Sequence, residues 1–322
     1  MSAADLGIIG LQIVLPLALL VWFGFAPIRS TLGHWLQFAS TGLALIALCF
    51  APPWLALPWW TPVAYLAIWF STVLVHIISR RISSSRGFPS RASAWASLVL
   101  FGLLGMLSGV VSVTALSGRW AHGGAAIDLA FPLGPGVYLV ANGGSRDIVN
   151  AHFLTLNPAT ERQRAYRGQS YGVDLVKLGG FGLRAPGWRP REPARYEIFG
   201  EPVLAPCAGA VLSAGDGMPD MPVPEQDRSR LEGNYVFLDC DGVGVLLAHF
   251  QNGSLRVETG DRVVVGEQVA LAGNSGQSGE PHLHIHAQRL ADNAAMFSGE
   301  PLFISFDGRF PVRNDRIAVS TR

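Results

Sequence analysis

Long apolar runs dominate the first 120 residues of the chain, whereas short apolar runs separated by turn residues make up the rest. Within the first part, four stretches contain no Asp, Glu, Lys or Arg: Leu6–Ala26, Leu36–Leu57, Trp59–Ile78 and Ala94–Leu116. A helix needs about 20 apolar residues to cross the roughly 30 Å hydrocarbon core of a bilayer. The pattern therefore predicts four transmembrane helices. Three spans follow the first and no basic segment precedes it, so it is not interpreted as a cleaved signal peptide.

The distribution of arginines among the loops predicts how these helices are oriented. Arg29 lies between the first and second stretches, and four more arginines lie between the third and fourth: Arg80, Arg81, Arg86 and Arg91. The loop between the second and third stretches carries no charge. Because cytoplasmic loops are enriched in basic residues, we expect both arginine-bearing loops to be cytoplasmic. This topology places both termini, and everything after the fourth helix, outside the cytoplasm.

From Ile127 onward the pattern changes to that of strands. Short apolar runs alternate with Gly, Pro, Asn and Asp, and no long run with helical periodicity occurs. The predicted fold class is an N-terminal four-helix transmembrane region followed by a mostly antiparallel β C-terminal domain. The predicted boundaries are a membrane anchor over residues 1–117, a linker over 118–126 and an extracytoplasmic domain over 127–322. Candidate strands are Val137–Val140, Pro202–Ala205, Ala210–Leu212, Tyr235–Leu238, Val243–Leu247, Arg262–Val265 and Gln268–Ala272.

Charge and cysteine content narrow the class of protein. Charged residues make up 15% of the chain, below the roughly 25% typical of soluble domains, and the mean hydropathy is +0.31. Residues 121–322 hold 18 basic and 22 acidic residues, so no nucleic-acid partner is expected. Cys207 and Cys240 both fall in the predicted outside domain. There they either form a disulfide or remain two separate buried thiols.

The clearest chemical signal is a His-x-His pair formed by His282 and His284. Alternate residues of a strand point to the same face and lie about 6–7 Å apart, so both imidazoles can serve one metal centre. The glycine-rich loop Gly273–Gly279 precedes them and can line a cleft. Catalytic zinc binds three protein N or O ligands and keeps one position open. Further candidate residues for such a site are His249 and Asp174.

An ordered series of segments extends this signal. The segments are Gly200–Val211, Gly233–Val236, Leu247–Phe250, Gly260–Val263, Gly266–Gln268, Gly273–Gly276 and Pro281–His284. Together, residues 200–287 resemble the lysostaphin/LytM-type zinc metallopeptidases, which cleave peptide cross-links of peptidoglycan. The Gly-Asp-x-Val segment alone is weak, since lipoyl- and biotinyl-type barrels share it. The combination of segments is specific.

The resemblance implies a Zn²⁺ cofactor and roles for four residues. His284 and Asp174 would be zinc ligands, while His282 and His249 would position or deprotonate the attacking water and stabilise the transition state. It also implies peptidoglycan peptides as the substrate. Together with the predicted spans, it implies a multi-pass protein that contacts the lipid bilayer of the bacterial inner membrane, with a periplasmic C-terminal domain.

The first zinc ligand of the family is missing from its usual place. The family pattern is His-x-x-x-Asp, but the residue four positions before Asp174 is Ser170, and a serine hydroxyl is a poor zinc ligand. We predict that His152 completes the ligand set and that Ser170 does not contact the metal. A membrane-attached subgroup of the family shares the Asn-x-His segment formed here by Asn150 and His152. Asn150 either orients a ligand or is simply a turn residue. Further residues expected to line the cleft are Asn274 and Ser275.

Two functions are compatible with these motifs. The first is a membrane-anchored zinc metalloendopeptidase that hydrolyses peptide cross-links of peptidoglycan by metal-activated water. The alternative is a non-catalytic peptidase-like domain that binds the cell wall or regulates another wall hydrolase. Ser170 supports the alternative, whereas retention of His249, His282 and His284 counts against it.

Overall fold

The chain is organised as two compact units. The computed structural model describes residues 3–27, 30–79, 87–122, 126–290 and 295–320. The first unit comprises Met1–Pro52 and Trp60–Leu116, and the second comprises Pro53–Trp59 and Ser117–Arg322. Four arginines on which the predicted orientation depends lie outside the described residues: Arg29, Arg80, Arg81 and Arg86.

The first unit is helical. Its helices are α1 (Ala3–Ile9), α2 (Leu15–Phe25), α3 (Thr31–Phe50), α4 (Thr61–Ile78) and α5 (Ala92–Ser117). A π-helical turn over Gly10–Val14 joins α1 to α2, which gives a continuous apolar span over Asp5–Phe25. This span, α3, α4 and α5 are the four helices in the described part of the chain that are long and apolar enough to cross a membrane.

The second helix ends earlier than the sequence pattern predicts. The apolar run extends to Leu57, but α3 ends at Phe50. Ala51 still has helical dihedral angles and donates to the carbonyl of Ala47. Pro52 and Pro53 come next, and proline has no N–H with which to continue the helical hydrogen-bond pattern. The residues from Pro53 to Trp59 therefore leave the helix and join the second unit.

Small residues allow the helices of the first unit to approach closely. Gly42 of α3 lies against the indole of Trp69 in α4, where a Cβ atom would overlap the ring. The same indole stacks on Phe38 with ring centroids 4.4 Å apart. The Ser40 hydroxyl donates to the carbonyl of Phe101 in α5 at 2.6 Å. Close packing and interhelical hydrogen bonds of this kind associate helices in lipid, where hydrophobic burial gives no driving force.

The second unit is built on an antiparallel sheet. Among its described residues, the strands are β1 (Ile127–Leu129), β2 (Gly136–Asn142), β3 (Val173–Leu178), β4 (Pro202–Leu204), β5 (Gly209–Gly215), β6 (Tyr235–Cys240), β7 (Val243–Ala248), β8 (Arg262–Val263), β9 (Gln268–Leu271), β10 (Leu283–Arg289), β11 (Pro301–Leu302), β12 (Ile304–Phe306) and β13 (Arg316–Val319). The order β13-β2-β3-β10-β7-β6-β5-β8, with β11 also paired to β10, forms one nine-stranded sheet. β1 pairs with β12 in parallel, and β4 with β9 antiparallel. The predicted fold class, four apolar helices followed by a mostly antiparallel β domain, is confirmed.

In the described part of the second unit, helical structure is confined to short pieces. They are α6 (Glu161–Ala165) and 3₁₀ turns over Ala151–Thr155, Arg167–Gln169, Gly180–Gly182 and Pro193–Arg195. A disulfide joins Cys207 to Cys240, with Cα atoms 5.9 Å apart. Of the two states that the sequence left open for these cysteines, the structure has the bonded one.

Strands β2 and β3 are apolar on both faces. Alternate residues of a strand point to opposite faces, and one face of this pair contributes to the main core. The opposite face forms a second cluster of Leu139, Ala141, Val176 and Leu178. Leu55 and Trp59 pack against this second cluster, and the neighbouring Trp54 is 1% exposed. The segment Pro53–Trp59, called the strap below, thus covers apolar side chains that would otherwise meet water.

Candidate metal centre

Two neighbouring strands bring a carboxylate and an imidazole together. β3 and β10 are antiparallel, and their register places Asp174 opposite His284. Directly opposed residues have Cβ atoms about 4.5–5.5 Å apart, so their side chains can meet. Asp174 Oδ1 lies 2.9 Å from His284 Nδ1. The backbone ladder therefore positions this pair.

His152 reaches the same point from the 3₁₀ turn Ala151–Thr155. Its Nε2 lies 3.6 Å from Asp174 Oδ1, and its ring centroid is 4.8 Å from that of His284. One ligand atom from each of these three residues lies within 4.8 Å of the other two. The structure thus brings together the three residues predicted from the sequence to bind zinc.

Ser170 is fully buried, and its hydroxyl is engaged away from the three candidate ligands. The hydroxyl donates to the carbonyl of Arg167 at 2.6 Å and lies 2.9 Å from the hydroxyl of Thr155. Thr155 in turn donates to the carbonyl of His152 at 2.8 Å. The serine at the usual position of the family's first ligand therefore supports the turn that carries His152.

Asn150 fixes which nitrogen of His152 carries the proton. Its Nδ2 donates to the carbonyls of Gly144 and Gly172, so its Oδ1 is the acceptor. That oxygen accepts from the backbone N–H of His152 at 3.1 Å and from His152 Nδ1 at 2.9 Å. Nδ1 is therefore protonated, and Nε2 directs a lone pair toward Asp174. Of the two interpretations of Asn150, the geometry favours a residue that orients a ligand.

His286 orients His284 in a similar way. His286 Nε2 donates to the carbonyl of Met296 at 3.1 Å, and its Nδ1 lies 3.0 Å from His284 Nε2. Burial lowers the pKa of His286 well below its ordinary value, so the ring is neutral and its Nδ1 accepts. His284 Nε2 therefore donates to His286, and His284 Nδ1 is the nitrogen that faces Asp174. The motifs did not identify this role, although the period of two along β10 places His286 on the face of His284.

His249 and His282 line the same cavity as the three candidate ligands, with a volume of about 190 Å³. Their ring centroids are 4.7 Å apart. His249 Nδ1 donates to the carbonyl of Ser275, and His282 Nδ1 donates to the carbonyl of Glu280, both at 2.9 Å. Both rings therefore direct Nε2 away from these backbone carbonyls and toward the cavity. His249 also has a backbone φ of 67°. Residues other than glycine rarely adopt this conformation, and when they do it is often at functional sites.

The two predicted cleft residues, Asn274 and Ser275, support His249 and His282 on the Nδ1 side of each ring. Ser275 accepts the His249 proton through its backbone carbonyl. Asn274 Oδ1 accepts from the Ser278 hydroxyl at 2.7 Å, and that hydroxyl lies 3.1 Å from His282 Nδ1. The loop thus holds both rings by atoms that do not face the cavity.

A buried chain of donors orients Asp174. Asn142 Nδ2 donates to Asp174 Oδ2 at 2.8 Å, and the Asn142 side-chain oxygen accepts from Arg313. Arg313 also donates to the carbonyls of Ala141 and Ile148. Oδ2 is thereby occupied, which leaves Oδ1 directed at the histidines. Neither Asn142 nor Arg313 was identified from the sequence, because neither belongs to a motif with recognisable spacing.

Burial and neighbouring side chains shift the pKa values of the site residues. Burial lowers the pKa of His152 to about 4 and that of His249 well below its ordinary value. Burial alone would raise the pKa of Asp174, but His152, His282 and His284 outweigh it and lower the pKa well below the ordinary value. The site therefore combines an ionised carboxylate with neutral imidazoles at His152 and His249, and an ionised carboxylate and a neutral imidazole are the forms that bind metal.

The donor set fits a zinc ion. Two imidazole nitrogens and one carboxylate oxygen are a ligand set of catalytic zinc. His284 Nδ1 and Asp174 Oδ1 face each other at 2.9 Å, a contact that needs a cation between the two atoms, either a proton or a metal ion. Each ligand also has the kind of hydrogen-bond partner that orients metal ligands. These partners are Asn150, Asn142 and His286.

Comparison with known proteins gives a family match for part of the chain. The family model of Peptidase family M23 matches residues 196–296. That range contains His249, His282 and His284, whereas His152 and Asp174 precede it. The comparison with curated proteins finds no significant match.

Solved peptidases are similar to parts of this chain at low identity. The catalytic domain of lysostaphin from Staphylococcus simulans is 18% identical, with 53% of this chain and 86% of that chain covered and a TM-score of 0.27. A zinc-containing peptidase from Vibrio cholerae is 20% identical, with 40% and 28% covered and a TM-score of 0.23. This chain thus spans about a quarter of the length of the Vibrio cholerae structure. Residues 196–296 are a domain of Peptidase family M23, the lysostaphin/LytM-type family that the sequence motifs indicated.

Proposed function

We propose that this protein is a membrane-anchored zinc metalloendopeptidase that hydrolyses peptide cross-links of peptidoglycan. The observation that carries the proposal is the convergence of His152, Asp174 and His284, with ligand atoms within 4.8 Å of one another. His152 Nε2 and His284 Nδ1 both face the carboxylate of Asp174. The M23 domain match supports the same chemistry.

The three converging residues would hold the zinc ion. When bound, zinc polarises the scissile carbonyl and lowers the pKa of a coordinated water toward about 7. The residues supply one negative charge and two neutral nitrogens. A divalent ion in this set therefore keeps a net positive charge.

His249 and His282 would manage protons on the cavity side. Each has Nδ1 protonated and tied to a backbone carbonyl, so Nε2 can accept a proton from the attacking water. The same nitrogen can return that proton to the departing amine of the peptide. General acid–base transfer of this kind contributes about 10²–10⁴-fold to rate.

A second cavity extends the cleft for a chain-like substrate. It has a volume of about 470 Å³ and shares His152, Gln169, Leu231 and Gln277 with the cavity at the ligand cluster. A peptide is longer than one cavity, and its scissile bond must lie at the ligands while flanking residues are held beside them. The shared lining supports a peptide substrate that passes over His152.

We also propose that the β domain lies outside the cytoplasm, in the periplasm next to the bacterial inner membrane. The strap, which follows α3 and precedes α4, belongs to the same compact unit as the chain after α5. If α4 and α5 each cross the membrane once, both parts lie on one side, as the arginine distribution requires. A phosphatase fused after residue 322 should be active in the periplasm. An active cytoplasmic reporter would contradict this topology.

The alternative is a non-catalytic wall-binding or regulatory domain. The observation in its favour is Ser170 at the usual position of the first ligand. His152 supplies a nitrogen from another segment of the chain, which favours the peptidase.

The test uses full-length protein in detergent, with zinc content and digestion of purified peptidoglycan as readouts. His284→Ala should lose both zinc and activity, because it removes a ligand. His282→Ala should retain zinc and lose most activity, because His282 acts on protons. Digestion at the parental rate by both variants would show the peptidase proposal to be wrong. Equal loss of zinc in both would mean that ligand and base had been exchanged.

A further inference from the structure

The strap connects to His282 through two side chains. The carbonyl of Leu55 accepts from Arg184 Nη1. Arg184 Nε and Nη2 donate to the two carboxylate oxygens of Glu280, both at 2.8 Å. The backbone carbonyl of Glu280 then accepts from His282 Nδ1 at 2.9 Å. A continuous hydrogen-bonded path therefore runs from the strap to the ring of His282.

This path is buried and geometrically fixed. The side chain of Arg184 is 4% exposed and that of Glu280 is 15% exposed. A bidentate guanidinium–carboxylate pair sets orientation as well as distance, and the Leu55 carbonyl holds a third guanidinium nitrogen. Separating the partners of a buried pair leaves an uncompensated charge. The pair therefore holds Glu280 in place.

The strap itself is anchored along its length. The backbone N–H of Trp54 donates to Asn314 Oδ1 at 3.0 Å. Leu55 packs on the cluster of β2 and β3. The backbone N–H of Trp59 donates to the carbonyl of Gly182 at 3.2 Å, and the Trp59 ring lies 4.4 Å below the guanidinium of Arg316. These anchors fix the position of the Leu55 carbonyl relative to the sheet.

We propose that the strap is a positioning element of the active site: Leu55, through Arg184 and Glu280, sets the orientation of His282. The kinetic part of this inference rests on the proposed peptidase function, whereas the coupling of the strap to the loop before β10 does not. Arg184 and Glu280 are not ligand candidates, so zinc binding is independent of the path. A misdirected His282 slows the proton-transfer step and leaves metal and substrate binding in place.

The experiment uses the full-length protein in detergent and two kinds of readout. Hydrogen exchange at amides 278–283 reports the loop directly, and kcat, KM and zinc content report the site. Trp54→Ala loosens the strap, Arg184→Met breaks the path, and Arg184→Lys keeps a donor. The matched control is Arg191→Met, because Arg191 also pairs with a carboxylate, Glu225, but on the surface, where the side chains are 70% and 51% exposed.

We expect Trp54→Ala and Arg184→Met to accelerate exchange at 278–283 by about tenfold or more. Both should lower kcat by about 10–100-fold, as small misplacements of catalytic groups do, with KM and zinc content unchanged. Arg184→Lys should recover part of the loss. Arg191→Met should match the parent in every readout. The double variant of Trp54 and Arg184 should lose no more than Arg184→Met alone, because both changes act on one path.

Several outcomes would overturn the proposal. These are parental exchange at 278–283 in Trp54→Ala, losses that add in the double variant, or zinc content that falls in step with kcat. If Arg184→Met does not fold, Trp54→Ala and Arg184→Lys still decide the question. A parent protein that binds zinc and cleaves nothing would contradict the proposed function, while the exchange data would still test the strap.

Discussion

The three candidate ligands are held in two different ways. Asp174 and His284 sit opposite each other on paired strands, so the backbone ladder of β3 and β10 sets their separation. His152 sits on a five-residue 3₁₀ turn, where side chains of Asn150 and Thr155 provide the fixing hydrogen bonds. The difference shows how a metal ligand can be supplied from different positions in a sequence. The backbone of the sheet positions a ligand on a strand, whereas a ligand on a turn needs side-chain hydrogen bonds that hold both the turn and the ring.

The largest expected effect is the loss of zinc when the turn ligand His152 is removed. His152→Ala should abolish zinc retention by the full-length protein, because Asp174 and His284 alone are too few ligands for a stable site. Zinc per chain by mass spectrometry after desalting checks this. His282→Ala is the control, since it should keep its zinc. Zinc retained by His152→Ala would mean that the two strand residues suffice or that another ligand replaces it.

A second expected effect concerns the strand ligand His284. A Cβ atom on Gly172 would lie 2.7 Å from His284 Cε1, whereas its distance of 3.4 Å from His152 Cγ is close to ordinary contact. Gly172→Ala should therefore displace the His284 ring. We expect the zinc Kd to rise by about 100-fold, at the upper end for changes next to ligands. Competition with a chromophoric chelator measures it. Gly180→Ala is a matched control, because a Cβ there has no atom within 4 Å, and it should bind zinc like the parent.

A third effect separates the two ways of holding a ligand. Asn150→Ala should raise the zinc Kd by about 10–100-fold, because the His152 ring loses its partner on a turn without a ladder. Asn142→Ala removes the equivalent partner of Asp174, but the strand still positions the carboxylate. We therefore expect a smaller rise for Asn142→Ala under the same assay. Equal effects of the two variants would show that the ladder contributes nothing to ligand position.

The smallest effect concerns Ser170. Ser170→Ala should change the zinc Kd by less than about twofold, since its hydroxyl bonds to Arg167 and Thr155. It should lower the free energy of unfolding by about 1 kcal/mol, the typical worth of a hydrogen bond. Zinc titration measures the Kd, and thermal denaturation measures the change in stability, so the two quantities are obtained separately. Ser229→Ala, at an exposed hydroxyl, is the control. A large loss of zinc affinity in Ser170→Ala alone would make the serine part of the metal site.

The sequence was most informative where spacing encodes geometry. The His-x-His pair and the strand-length runs predicted β10 and its neighbours because residues two apart share a face. His152 was predicted because it lies 22 residues before Asp174, a hairpin-like separation, and the family resemblance supported it. No local pattern in the sequence encodes the hydrogen bonds that hold its turn. His286 was accessible from the same period of two, because it lies two residues beyond His284 on β10. It acts there by orienting His284.

The strap was not predicted, although the sequence of β2 and β3 contains a pattern that requires a covering element. Strands β2 and β3 are apolar at consecutive positions, as are strands buried on both faces, and so they need a covering element. Hydropathy assigned Trp54 and Leu55 to the second span instead, because the composition of a membrane helix and of a buried segment is the same. The contacts between the strap and the sheet depend on tertiary structure, which a local pattern does not encode.

The strap also affects when the parts of the protein can fold during synthesis. The contact between Trp54 and Asn314 joins residues 260 apart, and that between Leu55 and Arg184 joins residues 129 apart. At about 5–20 residues per second of synthesis, the strap waits roughly 10–50 s for the last of its partners. Tryptophan is suited to the interface between lipid headgroups and water, so the bilayer surface can shelter the strap during that interval. If α3 and α4 cross a bilayer, folding of the β domain would include a transfer of these side chains from the bilayer surface to the protein.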